Sequence, residues 1–193
     1  MLGSIDWTPV VQSLAATNWT AILIAVVAAA TALIGPVRLW KKQMERESES
    51  VKASLFAEVS AIVEIVERRL ILEGLRANEK LLRLHLSCLT ELSEREKGSK
   101  SFEVHIDNQY NRVYQGNVSK LGVLTAEDAK EIVRFYQLVD SARLDVVPGG
   151  FLAKGTKNPD NFKQTADLLE MALGIGRTLT APVPKPSRKW WSF

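Results

Sequence analysis

The stretch WTAILIAVVAAATALIGPVRLW, residues 19–40, holds no charged side chain before Arg38, and the nearest charge upstream is Asp6. A bilayer core takes about 20 consecutive apolar residues of helix, so this run predicts one transmembrane helix over 18–40. Trp19 and Trp40 stand 21 positions apart, which at about 1.5 Å per residue separates them by roughly 31 Å, close to the hydrocarbon thickness. Both rings are read as interfacial anchors. Gly35 and Pro36 fall near one end of the run, where carbonyls freed by the missing proline N–H can be met by headgroups or water. A cleaved secretory signal is the rival reading, since Ala28, Ala30 and Ala32 supply small residues. The run exceeds the usual signal core and no Lys or Arg precedes it, which favours a span.

Orientation follows from the cations. Residues 1–37 contain one charged side chain, whereas all 25 Lys and Arg and 21 of the 22 acidic residues follow. Arg38, Lys41 and Lys42 come directly after the run, with Arg46 and Lys52 close behind. The positive-inside rule therefore predicts residues 1–17 as a short outer segment and 41–179 as a cytoplasmic domain. Within the run, Ala21, Ala25 and Ala29 share one helix face, and Ala28, Ala32 and Gly35 share its neighbour. Small residues at this spacing let helices approach closely, which makes the two stripes a candidate oligomer face.

The rest of the chain predicts an all-α bundle with a long first helix. Over residues 51–97, Leu55, Val59, Ile62, Val66, Leu70, Gly74, Ala77, Leu81, Leu84, Cys88 and Leu92 recur at steps of three and four. Ten steps cover 37 residues, a period of about 3.7 that fits a bundle helix better than the 3.5 of a left-handed coiled coil. A second stripe, from Phe56 through Val63, Ile65, Leu72, Leu75, Leu82, Leu86 and Leu89, widens the apolar face, so contacts are expected on more than one side. Gly74 marks a candidate break. Beyond the charged segment 93–101, Phe102 to Ile106 reads as extended, and Asp107 reads as the N-cap of a helix that carries Tyr110, Val113 and Tyr114 and closes at Gly122. Thr125 and Asp128 form a capping-box pattern that opens a helix burying Ala129, Ile132, Val133, Tyr136 and Val139. Pro148-Gly149-Gly150 ends it, and Asn158-Pro159 starts a last helix with Phe162, Ala166, Leu169 and Leu173 inward. Tyr110, Tyr114 and Tyr136 are all expected in the core.

The segments Tyr114-Gln115-Gly116-Asn117-Val118-Ser119-Lys120-Leu121-Gly122-Val123-Leu124 and Ile132-Val133-Arg134-Phe135-Tyr136 resemble a pattern found in small single-pass bacterial inner-membrane proteins of unassigned activity. The resemblance covers residues 105–145. It implies a bacterial or phage source and an inner-membrane location, and it brings no catalytic residue. The same residues read independently as an aromatic-rich helix, a Gly cap and a second helix stacked back on the first.

A search for chemistry returns no catalytic, cofactor-binding or metal constellation. Gly150 to Lys157 has the glycine spacing of a phosphate loop, but Thr156 precedes Lys157 where the loop needs Lys before the hydroxyl. Gly174-Ile175-Gly176 lacks the third glycine of a dinucleotide fingerprint. His85 and Cys88 lie three apart, yet a structural zinc takes four ligands and the only other histidine is His105. A core histidine beside a buried free thiol is the expected arrangement. The carboxylate pairs Glu64 and Glu67, and Asp140 and Asp145, sit among Arg68, Arg69 and Arg143 as a solvated face with local ion pairs. From Arg38 onward 25 basic residues meet 21 acidic ones, a net +4 spread along amphipathic helices, which argues against nucleic acid as a partner.

The last stretch, TAPVPKPSRKWWSF at 180–193, alternates prolines with small residues and carries no acid. It reads as an extended tail whose Arg188, Lys189, Trp190, Trp191 and Phe193 suit the inner leaflet or a partner's groove. The sequence thus predicts a non-enzymatic, membrane-tethered interaction protein, a scaffold or adaptor, whose partners are the lipid bilayer and a protein or a second copy of itself. No small-molecule substrate is indicated. The alternative is a membrane-perturbing effector of a phage-defence or toxin system that acts by oligomerisation.

Overall fold

A computed structural model describes residues 19–88 and 98–181, without the side chains of residues 19, 21, 29–35 and 88. Among the described residues the architecture is all-helical. Helix α1 covers Trp19–Arg68, α2 Ile71–Cys88, α3 Arg112–Asn117, α4 Ala126–Val146 and α5 Pro159–Thr180, with a 3₁₀ helix at Val118–Val123 between α3 and α4. No strand forms among the described residues; one isolated antiparallel bridge joins Lys100 and Thr156. The chain divides into two units, one ending at Glu47 and the other beginning at Ser48.

In the first unit, every side chain from Ile22 to Ala28 is exposed, with Ile22, Leu23, Ile24 and Val26 at 43–69%, and 100° per residue spreads these seven apolar positions around the axis. Pro36 lies inside the helix. Among the described residues no helix is long and apolar enough to cross a membrane, so the structure does not support the transmembrane helix expected over 18–40.

The second unit has one core. Its centre is Phe135, Tyr136, Phe162, Leu55, Leu75 and Ile132, each essentially inaccessible. Helix α5 packs against both α2 and α4, and the C-terminal part of α1 closes the core with Val51, Leu55, Val59, Ile62 and Val66. The expected single helix over 51–97 is broken, and not at Gly74. The break falls between Arg68 and Ile71, where Leu70 takes a φ of 52° and its N–H donates to the Glu67 carbonyl. A non-glycine residue at positive φ carries strain, because its Cβ crowds the following carbonyl oxygen.

The break changes which stripe is buried. Leu55, Val59, Ile62 and Val66 point inward as expected, but Leu70, Ala77, Leu81 and Leu84 of the same series are exposed. Ile71, Leu75 and Leu82 take over the core positions. Gly74 lies within α2, against the ring of Phe102.

Helix ends elsewhere follow local chemistry. The Thr125 hydroxyl accepts from Asp128 N–H at 3.1 Å at the start of α4, and the Asn158 side chain accepts from Asp160 N–H at 3.0 Å with Pro159 in the first turn of α5. Residues 102–106 are extended and alternate half-buried with exposed. Their backbone is tied down by Phe102 N–H to Leu152 O and Val104 N–H to Val146 O, at 3.0 and 2.9 Å. The loop that follows α4 is packed rather than open: a Cβ on Gly150 would meet the Leu144 and Asp145 carbonyl oxygens.

Gly176 sets the closest helix approach. A Cβ there would lie 2.6 Å from Val63 Cγ2 and 2.9 Å from Phe135 Cε2, so α1, α4 and α5 meet at a point with no room for a methyl. Gly174, two positions away, faces open space. Gly176→Ala is expected to destabilise the chain by about 1–2 kcal/mol, overpacking outweighing the helix-propensity gain, while Gly174→Ala is neutral or stabilising by up to about 1 kcal/mol. Urea unfolding of the two variants measures both; equal midpoints would show that the helices do not meet at Gly176.

Candidate functional site

Two arrangements of polar groups stand out in the second unit. The first is built around Glu58, half-buried on α1. Its carboxylate accepts from Val113 N–H and Tyr114 N–H at 2.8 and 2.9 Å and from the Tyr136 hydroxyl at 2.6 Å. Helix α3 has only six residues and its N-cap, Asn111, makes no side-chain cap. The two first-turn donors that a cap would meet are satisfied instead by an acid from another helix. The expected cap, Asp107, forms a local turn in which its side chain accepts from Gln109 N–H at 2.8 Å.

The tyrosines assemble around this carboxylate. Tyr114 stacks on Tyr136 with centroids 4.0 Å apart, and Phe135 meets Tyr136 edge-on at 5.2 Å. Tyr136 is buried, while Tyr110 and Tyr114 are only half-buried against the core. The Tyr110 hydroxyl donates to Asp140 at 2.7 Å. Burial first, and then the neighbouring carboxylates Asp140 and Glu58, push the Tyr110 and Tyr136 phenols far above their ordinary range. Both hydroxyls therefore stay protonated donors, a structural role.

The second arrangement is a cavity of about 290 Å³ at the α1–α2 break. Ile62 and Val66 of α1, Ile71 and Leu75 of α2, Val139 and Val146 of α4 and Leu169 of α5 give it apolar walls, and Arg69, His105, Asp107, Tyr110, Arg143 and Thr165 supply polar groups. Arg69 donates to the His105 carbonyl at 3.4 Å, and Arg143 donates to Asn108 Oδ1 while its guanidinium lies 5.5 Å from the Tyr110 ring centroid. Arg143 Nε is buried with no hydrogen-bond partner.

The residues singled out from the sequence lie elsewhere. Arg38, Trp40, Lys41 and Lys42 are exposed on α1, as are Ala25 and Ala28. Trp19, Ala21, Ala29, Ala32 and Gly35 belong to α1, but their side chains are outside the described residues, and so is the whole tail segment with Arg188, Lys189, Trp190, Trp191 and Phe193. His85 is exposed, which corrects the expected core histidine; the Cys88 side chain is not described. Among the described residues no group of His, Cys, Asp and Glu is arranged to hold a metal ion. Asp140 and Asp145 are not free surface acids, since they accept from the Tyr110 and Thr165 hydroxyls at 2.7 Å each. Neither the cavity nor the Glu58 cluster was visible in the sequence, because the first joins residues as far apart as Ile62 and Leu169 and the second joins Glu58 to Tyr136, 78 positions on, through packing alone. No protein-family model, curated protein or solved structure matches the chain.

Two outcomes follow from these geometries. Glu58→Ala leaves two backbone donors and a buried phenol without an acceptor and is expected to cost on the order of 2–3 kcal/mol, against about 1 kcal/mol for Tyr136→Phe. A loss below about 0.5 kcal/mol in urea unfolding of Glu58→Ala would remove Glu58 as the tie between α1 and α3. At the start of α4, burial would raise the Asp128 carboxyl, but hydrogen bonds from Lys52 at 2.7 Å and Thr125 at 2.8 Å outweigh it and hold the group below its ordinary 3.8. A depressed carboxyl stabilises the fold above its unfolded value and loses that contribution as pH falls through the folded one. Asp128→Asn should therefore cost about 0.5–1 kcal/mol at pH 7, with the difference from wild type closing as pH falls below 3.8. A difference that persists unchanged to pH 2 would break the assignment.

Proposed function

We propose that this chain is a membrane-tethered helical interaction protein, a scaffold or adaptor without a catalytic site of its own. The observation that carries the reading is the exposed apolar surface that runs around α1 from Ile22 to Ala28. A helix that is apolar on every side is stable only when something apolar covers every side, and a bilayer does so. The uncharged run in which these residues sit extends to Val37 and is followed at once by Arg38, Lys41 and Lys42, which orients the bundle toward the cytoplasmic side of a bacterial inner membrane. Trp40 is 65% exposed beside those cations, as an interfacial ring requires. The bundle then offers a folded helical surface for a protein partner or a second copy, and the tail's Arg188, Lys189, Trp190, Trp191 and Phe193 suit the inner leaflet.

The full-length chain expressed in a bacterial host is expected to stay in the membrane pellet after alkaline carbonate extraction, and a C-terminal reporter should be active only in its cytoplasmic form. Ile24→Arg with Val26→Asp, each costing roughly 2.5–3.5 kcal/mol at a helix centre, should release the chain. A wild-type chain found in the carbonate supernatant would overturn the reading. In the alternative, α1 helices associate through the exposed Ala25 and Ala28 and perturb the bilayer, and induction would then collapse the membrane potential and Ala25→Leu would restore it.

A further inference from the structure

The cavity at the α1–α2 break has apolar walls and a polar mouth, where Arg69 and Arg143 outnumber the one lining carboxylate, Asp107. Ile71, Val146 and Leu169 in its walls are buried, whereas Arg69, His105 and Ile65 are exposed, so it opens to solvent on their side. Its volume of about 290 Å³ is nearly twice that of the roughly 150 Å³ engineered cavities that take up benzene, and near the lower end of small-molecule sites. Apolar walls of this kind hold ordered water poorly and favour an apolar guest.

The polar groups define what the guest must carry. Neither Arg69 nor Arg143 pairs with a carboxylate among the described residues; their partners are a carbonyl and an amide oxygen. Arg143 Nε is a buried donor still lacking an acceptor. The acids nearby each accept from a neutral donor and none forms an ion pair with Arg69 or Arg143: Asp107 accepts from Gln109 N–H, Asp140 from the Tyr110 hydroxyl and Asp145 from the Thr165 hydroxyl. Two guanidiniums with donor capacity to spare beside an apolar hollow match a carboxylate joined to a hydrocarbon chain.

We propose that this cavity binds a free single-chain fatty acid, its hydrocarbon between α1, α2 and α4 and its carboxylate on Arg69 and Arg143. The inference does not rest on the membrane reading, since every residue it uses belongs to the second unit.

The test uses the full chain in phosphatidylcholine nanodiscs and a decanoate probe bearing a diazirine, with adducts mapped to peptides. Adducts are expected on residues 62–75 and 139–146, displaced by excess decanoate and not by decyltrimethylammonium. Arg69→Gln, at an exposed position that leaves the core intact, should weaken this labelling about ten-fold, the loss of one charge-assisted contact. Arg143→Gln should do the same, and Arg69→Lys should restore part of it. Equal displacement by the cationic amphiphile, labelling indifferent to Arg69→Gln, or adducts confined to peptides that do not line the cavity, which residues 105–110 and 165–169 also do, would each overturn the proposal. A two-chain phosphatidylglycerol probe labels the same peptides only if the chain comes from membrane lipid; that result without labelling by the decanoate probe would overturn a free acid as the occupant.

Discussion

The left-handed backbone at Leu70 decides how the second unit is built. An unbroken helix through residues 66–75 would continue the stripe Val66, Leu70, Gly74 toward the core. The turn at Arg69 and Leu70 ends one helix and restarts the next with Ile71, Leu75 and Leu82 inward. Leu70 itself is left 60% exposed in a conformation that residues with a Cβ rarely adopt. What offsets that strain is burial: Ile71, Leu75 and Leu82 become inaccessible or nearly so where α2 meets α5.

Everything around the break follows from that change of face. Helix α2 reaches α5 with Arg76 bonded to Asp167 and Glu170 at 2.7 and 2.6 Å, and Arg83 bonded to Asp160 at 2.6 Å. These pairs are part-exposed and add little energy; they fix register between two helices whose apolar contacts already hold. Phe102 lies across Gly74, and the extended segment from it to Ile106 runs beside the end of α4. The cavity is the space that these elements leave at the corner where α1 stops and α2 begins. Its polar rim comes from the same corner, with Arg69 at the break itself and His105 and Asp107 on the segment that closes over it.

The polar interior shows a second use of distance in sequence. Helix α3 is too short to be stable by itself, and the carboxylate that completes its first turn is Glu58, more than fifty positions earlier. The same carboxylate accepts from Tyr136, so one side chain joins α1, α3 and α4. Sequence reading assigned the cap to Asp107, the nearest residue of the right type, because local patterns can only nominate local partners. It assigned Asp140 and Asp145 to solvent for the same reason, whereas folding brings the Tyr110 and Thr165 hydroxyls to them.

Signals carried by a few neighbouring residues were legible in the chain. The caps at Thr125 and Asn158, the stop after Val146, the alternating 102–106 segment and the inward face of α5 are all set by local hydrogen bonding and by helix or strand periodicity, and each is written within one or two turns of sequence; on α4 the periodicity finds Ile132, Tyr136 and Val139 but misses the buried Phe135 and counts the half-buried Ala129 and Val133. Tertiary structure alone decided the break at Leu70, the exposure of Leu81, Leu84 and His85, the reach of Glu58 to α3, and the cavity with its two guanidiniums. Those features depend on which of two competing apolar stripes finds a partner, and that choice is made by the summed burial of helices far apart in the chain, which no local pattern contains.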